Sequence, residues 1–262
     1  MFFFFNFHVL SGTSPLYVLK TIFDTQPEEN DVIGAVSLIV WSLIVIVSLK
    51  YAIFILMADN RGEGGPFALC SLLTGQTSRL GYQTKLFVSI VSILAACLLI
   101  GDGALTPAVS ILSAIEGFTV AKPSLESWTV RISVILIIFL FLVQRWGSSR
   151  IGICFGPIMI LWFIILAIIG IWRITFKPII LNSFNPWEAM NYLIRTKSIG
   201  FYQIGSIFLS VTGLEALYAD LGHFGRWPVR FSWFILVFPA VLMNYLGQGA
   251  LLIMAPQFVD NP

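Results

Sequence analysis

LFVSIVSILAACLLIGDGALTPAVSILSAIEGF, residues 86 to 118, is oily enough to lie in a bilayer, yet it carries two carboxylates, Asp102 and Glu116, with Gly103 and Pro107 between them. About 20 apolar residues in helical form cross the hydrocarbon core of a membrane. The rest of the chain has the same character. Of its 262 residues, 58% are hydrophobic and 11% charged, with a mean hydropathy of +0.91. That is the composition of a membrane protein and not of a soluble domain. A formal net charge of +2 gives no footprint for nucleic acid. Cys70, Cys97 and Cys154 are odd in number and far apart, as small buried hydrophobes are, and do not form a disulfide or metal pattern.

Apolar runs punctuated by polar, Gly and Pro residues predict spans near 4 to 23, 32 to 57, 85 to 118, 130 to 144, 151 to 172, 200 to 220 and 231 to 254. Only helices satisfy their own backbone in lipid over such lengths, and the alternation of barrel strands is missing. The predicted class is therefore an all-α, multi-pass membrane protein of about seven spans. With the N-terminus in the cytoplasm, inside loops hold Arg61, Arg79, Lys85, Arg145, Arg150, Arg226 and Arg230, whereas the first outside loop, DTQPEEND (24 to 31), holds no basic residue. Residues 174 to 199 mix Trp, Tyr and charge as an interfacial amphipathic connector does.

Helical arithmetic answers why the third span is polar. With Asp102 at zero and about 100° per residue, Thr106 falls near 40°, Ser110 near 80°, Ser113 near 20° and Glu116 near −40°, while Ile111 falls opposite. An acid at the middle of a membrane helix costs about 3 kcal/mol on insertion scales, so it is paired, carries a proton, or meets a cation or water. Thr and Ser hydroxyls on the same face are hard oxygen ligands, the kind an alkali cation needs once its water is stripped. Glu116, near the far end, is also within reach of the interface. Pro107 is expected to kink this span and release a backbone carbonyl.

Two further spans read as interrupted. GTSPLY (12 to 17) places Gly12 and Pro15 inside an apolar stretch, and SVTGLEALYAD (210 to 220) places Thr212, Gly213 and Glu215 inside another. Gly12, Leu16 and Tyr17 share a spacing with Gly213, Leu217 and Tyr218, a faint internal repeat. Broken helices near the midplane mark the binding sites of transporters. The Gly-rich ADNRGEGGPF (58 to 67) lacks the Lys-Ser/Thr ending of a phosphate loop and follows a membrane helix, so a tight turn is expected there. His223 lies in a short Gly/Pro loop, where a packed or solvated histidine is the ordinary reading. An intramembrane aspartyl protease would need Gly where Leu99 stands and a second acid motif; no enzyme is predicted.

Taken together, GTSPLY, ADNRGEGG, IGDGALTPAVSILSAIEGF, FGPIMILWF, FNPWEAMNYL, VTGLEALYADLGHFGR and FPAVLMNYLGQGALLI resemble the KUP (K+ uptake permease, or HAK/KT) family of potassium transporters, in order and spacing over essentially the whole chain. The resemblance implies a LeuT-like, amino-acid-permease type fold of inverted five-span repeats in the plasma membrane, taking up potassium by proton symport without a cofactor. On that basis residues 1 to 173 are the first repeat, 174 to 199 an extracellular connector and 200 to 262 the start of the second. It implies ion-binding roles for Asp102, Thr106, Ser110, Thr212, Glu215 and Tyr17. Glu116, Gly12, Pro15 and Gly213 are candidates for coupling or gating. A homodimer is left open. Two departures stand out: Leu10 occupies the position of a family acid, and the chain ends after two spans of the second repeat. These support an alternative, a transport-inactive truncated paralogue or fragment that assembles with a complete transporter.

Overall fold

The computed structural model describes residues 12–23, 25–60, 62–75, 78–121, 123–144, 148–212, 214, 218 and 225–259. Helices dominate: α1 (Val18–Ile22), α2 (Glu29–Ser42), α3 (Pro66–Thr74), α4 (Tyr82–Ala121), α5 (Thr129–Gln144), α6 (Ser148–Phe176), α7 (Pro186–Phe208), α8 (Arg226–Ser232) and α9 (Phe238–Met254). A π-helical stretch, Leu43–Phe54, prolongs α2, and a shorter one, Trp233–Val237, joins α8 to α9. Among the described residues four helices, Glu29–Met57, Tyr82–Thr119, Gly156–Phe176 and Arg226–Met254, are long and apolar enough to cross a membrane, and Thr129–Leu142 is a shorter apolar helix. This is a multi-pass helical membrane protein. Over the described residues the chain divides into two compact units, one within 51–152 and 213–230, the other within 8–50, 153–212 and 231–262.

The first unit is built around α4, which packs against α3 and α5. Much of its apolar surface is open: Phe87, Ile100 and Leu105 are 66%, 75% and 68% exposed. In water such a surface would aggregate, and in lipid it is the ordinary exterior of a span. The Gly-rich segment is the tight turn its sequence predicts. Asn60 and Glu63 exchange backbone bonds of 2.9 and 3.0 Å, Gly62 and Gly65 take positive φ of 89° and 96°, and the Gly62 amide donates to Asp59 Oδ2 at 2.9 Å. A side chain at either glycine would strain that path. Asp59 also pairs with Arg226, and the Arg230 guanidinium donates to the Ala52 and Ile53 carbonyls, both at 2.7 Å. Those carbonyls end the second span, where backbone acceptors lack helical partners.

The second unit has a conventional core. Glu29 and Asp31 in the first turn of α2 complement the helix dipole. Beyond them Val32, Ala35, Val36, Ile39 and Val40 are all but fully buried. Against them lie α7, α9 and a 3-10 stretch, Pro178–Phe184. Polar side chains cross these contacts: Ser183 donates to the Ile33 carbonyl and Ser37 to that of Asn185, both at 3.0 Å. The backbones of α6 and α9 touch at Gly170 and Gly247, where a methyl group on Gly170 would lie 2.2 Å from the Met243 carbonyl oxygen.

The stretch 174 to 199, expected as an amphipathic connector, is helical over most of its length. Residues to Phe176 continue α6, and α7 runs from Pro186 through 199 to Phe208, with Lys197 alone in non-helical geometry at φ 48° and ψ −116°. The amphipathic stretch and the start of the sixth span are two helices meeting end to end at a strained lysine, and composition alone does not mark that junction.

Candidate ion site

The third predicted span is α4, and it carries Asp102 and Thr106 one turn apart. The Thr106 hydroxyl donates to Asp102 Oδ1 at 2.8 Å. Both side chains are half-buried, as are Ser110, Ser113 and Glu116 along the same face, while Leu105 beside them is exposed. A serine or threonine hydroxyl in a helix ordinarily bonds the carbonyl four residues back; here the carboxylate takes it instead. That bond leaves Thr106 free to present its lone pairs outward and holds the carboxylate in one orientation. Ser110 and Glu116 make interactions of their own, and Thr119 Oγ1 donates to the Glu116 carbonyl at 2.7 Å. Pro107 lies inside one continuous helix from Tyr82 to Ala121, because a proline removes a single amide donor and a long membrane helix can absorb that loss.

The predicted break in span one is present. Ser14–Leu16 forms a 3-10 turn, Tyr17 leaves helical geometry at φ −131° and ψ −18°, and α1 begins at Val18. The carbonyls around this break are held by side chains from elsewhere in the same unit. Trp162 Nε1 of α6 donates to the Gly12 carbonyl at 3.0 Å, and Gln248 Nε2 of α9 donates to that of Pro15 at 2.8 Å. Tyr17 is 7% exposed, and its hydroxyl lies 3.4 Å from Ser14 Oγ. The span-six interruption also begins where expected. α7 gives way to a 3-10 turn at Leu209–Val211, and Thr212 is extended at φ −64° and ψ 152°, its hydroxyl donating to the Leu209 carbonyl at 2.9 Å. Gly213, Glu215 and His223, with Leu10, lie outside the described residues.

Asp102 and Thr106 are thus brought together, with Ser110 and Glu116 on the same helix. Tyr17, Thr212, Gly12 and Pro15 belong to the other unit. Sequence reasoning missed Trp162 and Gln248. A signal existed for both, since an indole N–H or an amide in an apolar span must find a partner.

The family of the K+ potassium transporter integral membrane domain matches residues 7–262. The chain belongs to that family. It is thus a member of the KUP/HAK/KT group that its motifs resemble. Among curated relatives it is 49% identical over 257 residues to the probable potassium transport system protein Kup 1 of Geobacter sulfurreducens, covering 96% of this chain and 40% of that protein. It is 44% identical to the probable Kup 2 of Paramagnetospirillum magneticum and 45% identical to the probable Kup of Pseudomonas aeruginosa, each over 255 residues, with the same 96% and 40% covered. The chain therefore spans about 40% of the length of the relatives it matches. No solved structure matches it.

Proposed function

We propose that this chain carries part of the ion path of a potassium transporter that takes up K+ together with protons across the plasma membrane, its N-terminus in the cytoplasm. The observation that carries the reading is the hydrogen-bonded pair Asp102–Thr106, placed within a helix long and apolar enough to span a bilayer. A half-buried carboxylate there calls for a cation or a proton. Asp102 and Glu215 supply negative charge, and Thr106, Ser110, Thr212 and Tyr17 supply ligating oxygens. Breaks at Gly12–Pro15 and at Thr212 provide the helix ends of a LeuT-like site, and rocking of one bundle alternates access. Glu116 is assigned to coupling, and one of the acids carries the coupled proton.

The test is rubidium influx into cells that lack their own potassium uptake and express this chain, alone and as Asp102→Asn. Growth at low potassium with the wild-type chain and its loss in Asp102→Asn support the reading. Influx that is the same in both removes Asp102 from the path. A second reading is favoured by the 40% coverage of the relatives: a chain that acts only when assembled with a complete transporter, in which case influx appears only on co-expression with one.

A further inference from the structure

Asn244, Tyr245 and Gln248 of α9 present buried oxygens that the α4 face does not use. Asn244 is 6% exposed and Tyr245 fully buried. Asn244 Oδ1, Tyr245 Oη and Gln248 Oε1 are each shielded from solvent without a hydrogen-bond partner. At about 100° per residue the three side chains lie within roughly a 100° arc of one helix. Gln248 fixes the direction of its own amide. Its Nε2 donates to the Pro15 carbonyl, and a reversed amide would set two oxygens against each other, so Oε1 is the end left over. That bond also places the face against the break in span one.

A buried acceptor without a partner loses the water it would bond in the unfolded chain and gains nothing in return. Among the described residues these three are the buried side-chain oxygens left without a partner, and three on one helix face imply an occupant. Two of the three are amide carbonyl oxygens, which only accept, and the third is a hydroxyl whose lone pairs also accept. Uncharged oxygens of this kind replace the water of a large monovalent cation, whereas divalent ions are held chiefly through carboxylates. We propose that Asn244 Oδ1, Tyr245 Oη and Gln248 Oε1 form an uncharged site for a dehydrated monovalent cation beside the break in span one. The site uses residues of one unit only and does not depend on Asp102.

The experiment is equilibrium binding of radioactive Rb+ to the purified full chain in lipid nanodiscs, with choline chloride holding ionic strength constant. Four proteins are compared: wild type, Asp102→Asn, and Asp102→Asn combined with Asn244→Leu or with Tyr245→Phe. The expected result is that Asp102→Asn still binds Rb+, that Tyr245→Phe weakens that binding about tenfold, the equivalent of about 1.4 kcal/mol, and that Asn244→Leu abolishes it. Tyr245→Phe removes one oxygen and no volume, so it decides the matter should Asn244→Leu fail to fold. Rb+ binding that vanishes in Asp102→Asn, or that Tyr245→Phe leaves unchanged, overturns the site and leaves bound water as the occupant. The α4 reading fails separately, on influx unchanged by Asp102→Asn.

Discussion

Thr106 donates its hydroxyl proton to Asp102 Oδ1 across one turn of α4, at 2.8 Å. A hydrogen bond to a charged acceptor contributes about 1.5–3 kcal/mol. Thr106→Val keeps the shape and removes that donor, whereas Thr106→Ser keeps it. Rubidium influx is therefore expected to fall about tenfold or more in Thr106→Val and to stay near wild type in Thr106→Ser. Influx unchanged in Thr106→Val would show that the hydroxyl does not matter, and loss in Thr106→Ser alone would assign the role to the methyl group.

That Asp102 and Thr106 share a face was legible in the sequence because a helix has a fixed period; that Thr106 spends its proton on Asp102 came from the structure. The breaks at Gly12–Pro15 and before Gly213 were legible for a similar reason, since Gly and Pro disturb a helix by local chemistry. Pro107 marks the limit of that logic: proline ends many helices, and here it is carried inside a 40-residue one. What holds the span-one break was not legible. Trp162 is 150 residues from Gly12 and Gln248 is 233 from Pro15, and such partnerships follow from packing that no local period encodes.

Gly170 and Gly247 let α6 and α9 approach until their backbones touch. A methyl on Gly247 would lie 2.5 Å from Gly170 Cα, and one on Gly170 would lie 2.2 Å from a backbone oxygen. Neither neighbour can rotate away. Gly170→Ala and Gly247→Ala are each expected to destabilise the protein by about 1–3 kcal/mol, the cost of overpacking, read as lower melting temperature in detergent. Gly205→Ala, with nothing within 4 Å of the added carbon, is the control and is expected to be neutral or slightly stabilising. The close contact is refuted if all three melt together.

Tyr192 is 1% exposed, and its hydroxyl donates to Gln203 Oε1 at 2.5 Å. Burial first, and then the negative charge of Asp31, push its pKa from 10.0 up to about 12. Between those values the folded protein keeps a proton that the unfolded chain has lost, so unfolding releases protons and stability falls as pH rises. The contribution is fully present below pH 10 and is lost on the way to pH 12. Urea midpoints measured from pH 9 to 12 are expected to decline more steeply for the wild type than for Tyr192→Phe, which has no proton to lose there. Parallel declines would place the alkaline weakness elsewhere.

Lys197 sits at φ 48° and ψ −116° within α7, a region that suits glycine and strains any residue with a Cβ. Such a residue stores about 1–3 kcal/mol and persists only where its surroundings enforce it. Here the enforcing contacts are on both sides: Arg195 pairs with Asp31 at the start of α2, while Gln203 and Ser206 donate to the Ile22 and Thr21 carbonyls at 2.9 Å. Each half of α7 is anchored separately, and Lys197 absorbs the mismatch. Lys197→Gly is accordingly expected to raise the melting temperature, because relief of strain outweighs the smaller entropic cost of glycine at a non-helical position. Lys197→Ala removes the same charge and keeps the Cβ, so it is expected to melt with the wild type. A Lys197→Gly protein that melts lower than Lys197→Ala would mean that the backbone there is ordinary helix and the junction unstrained.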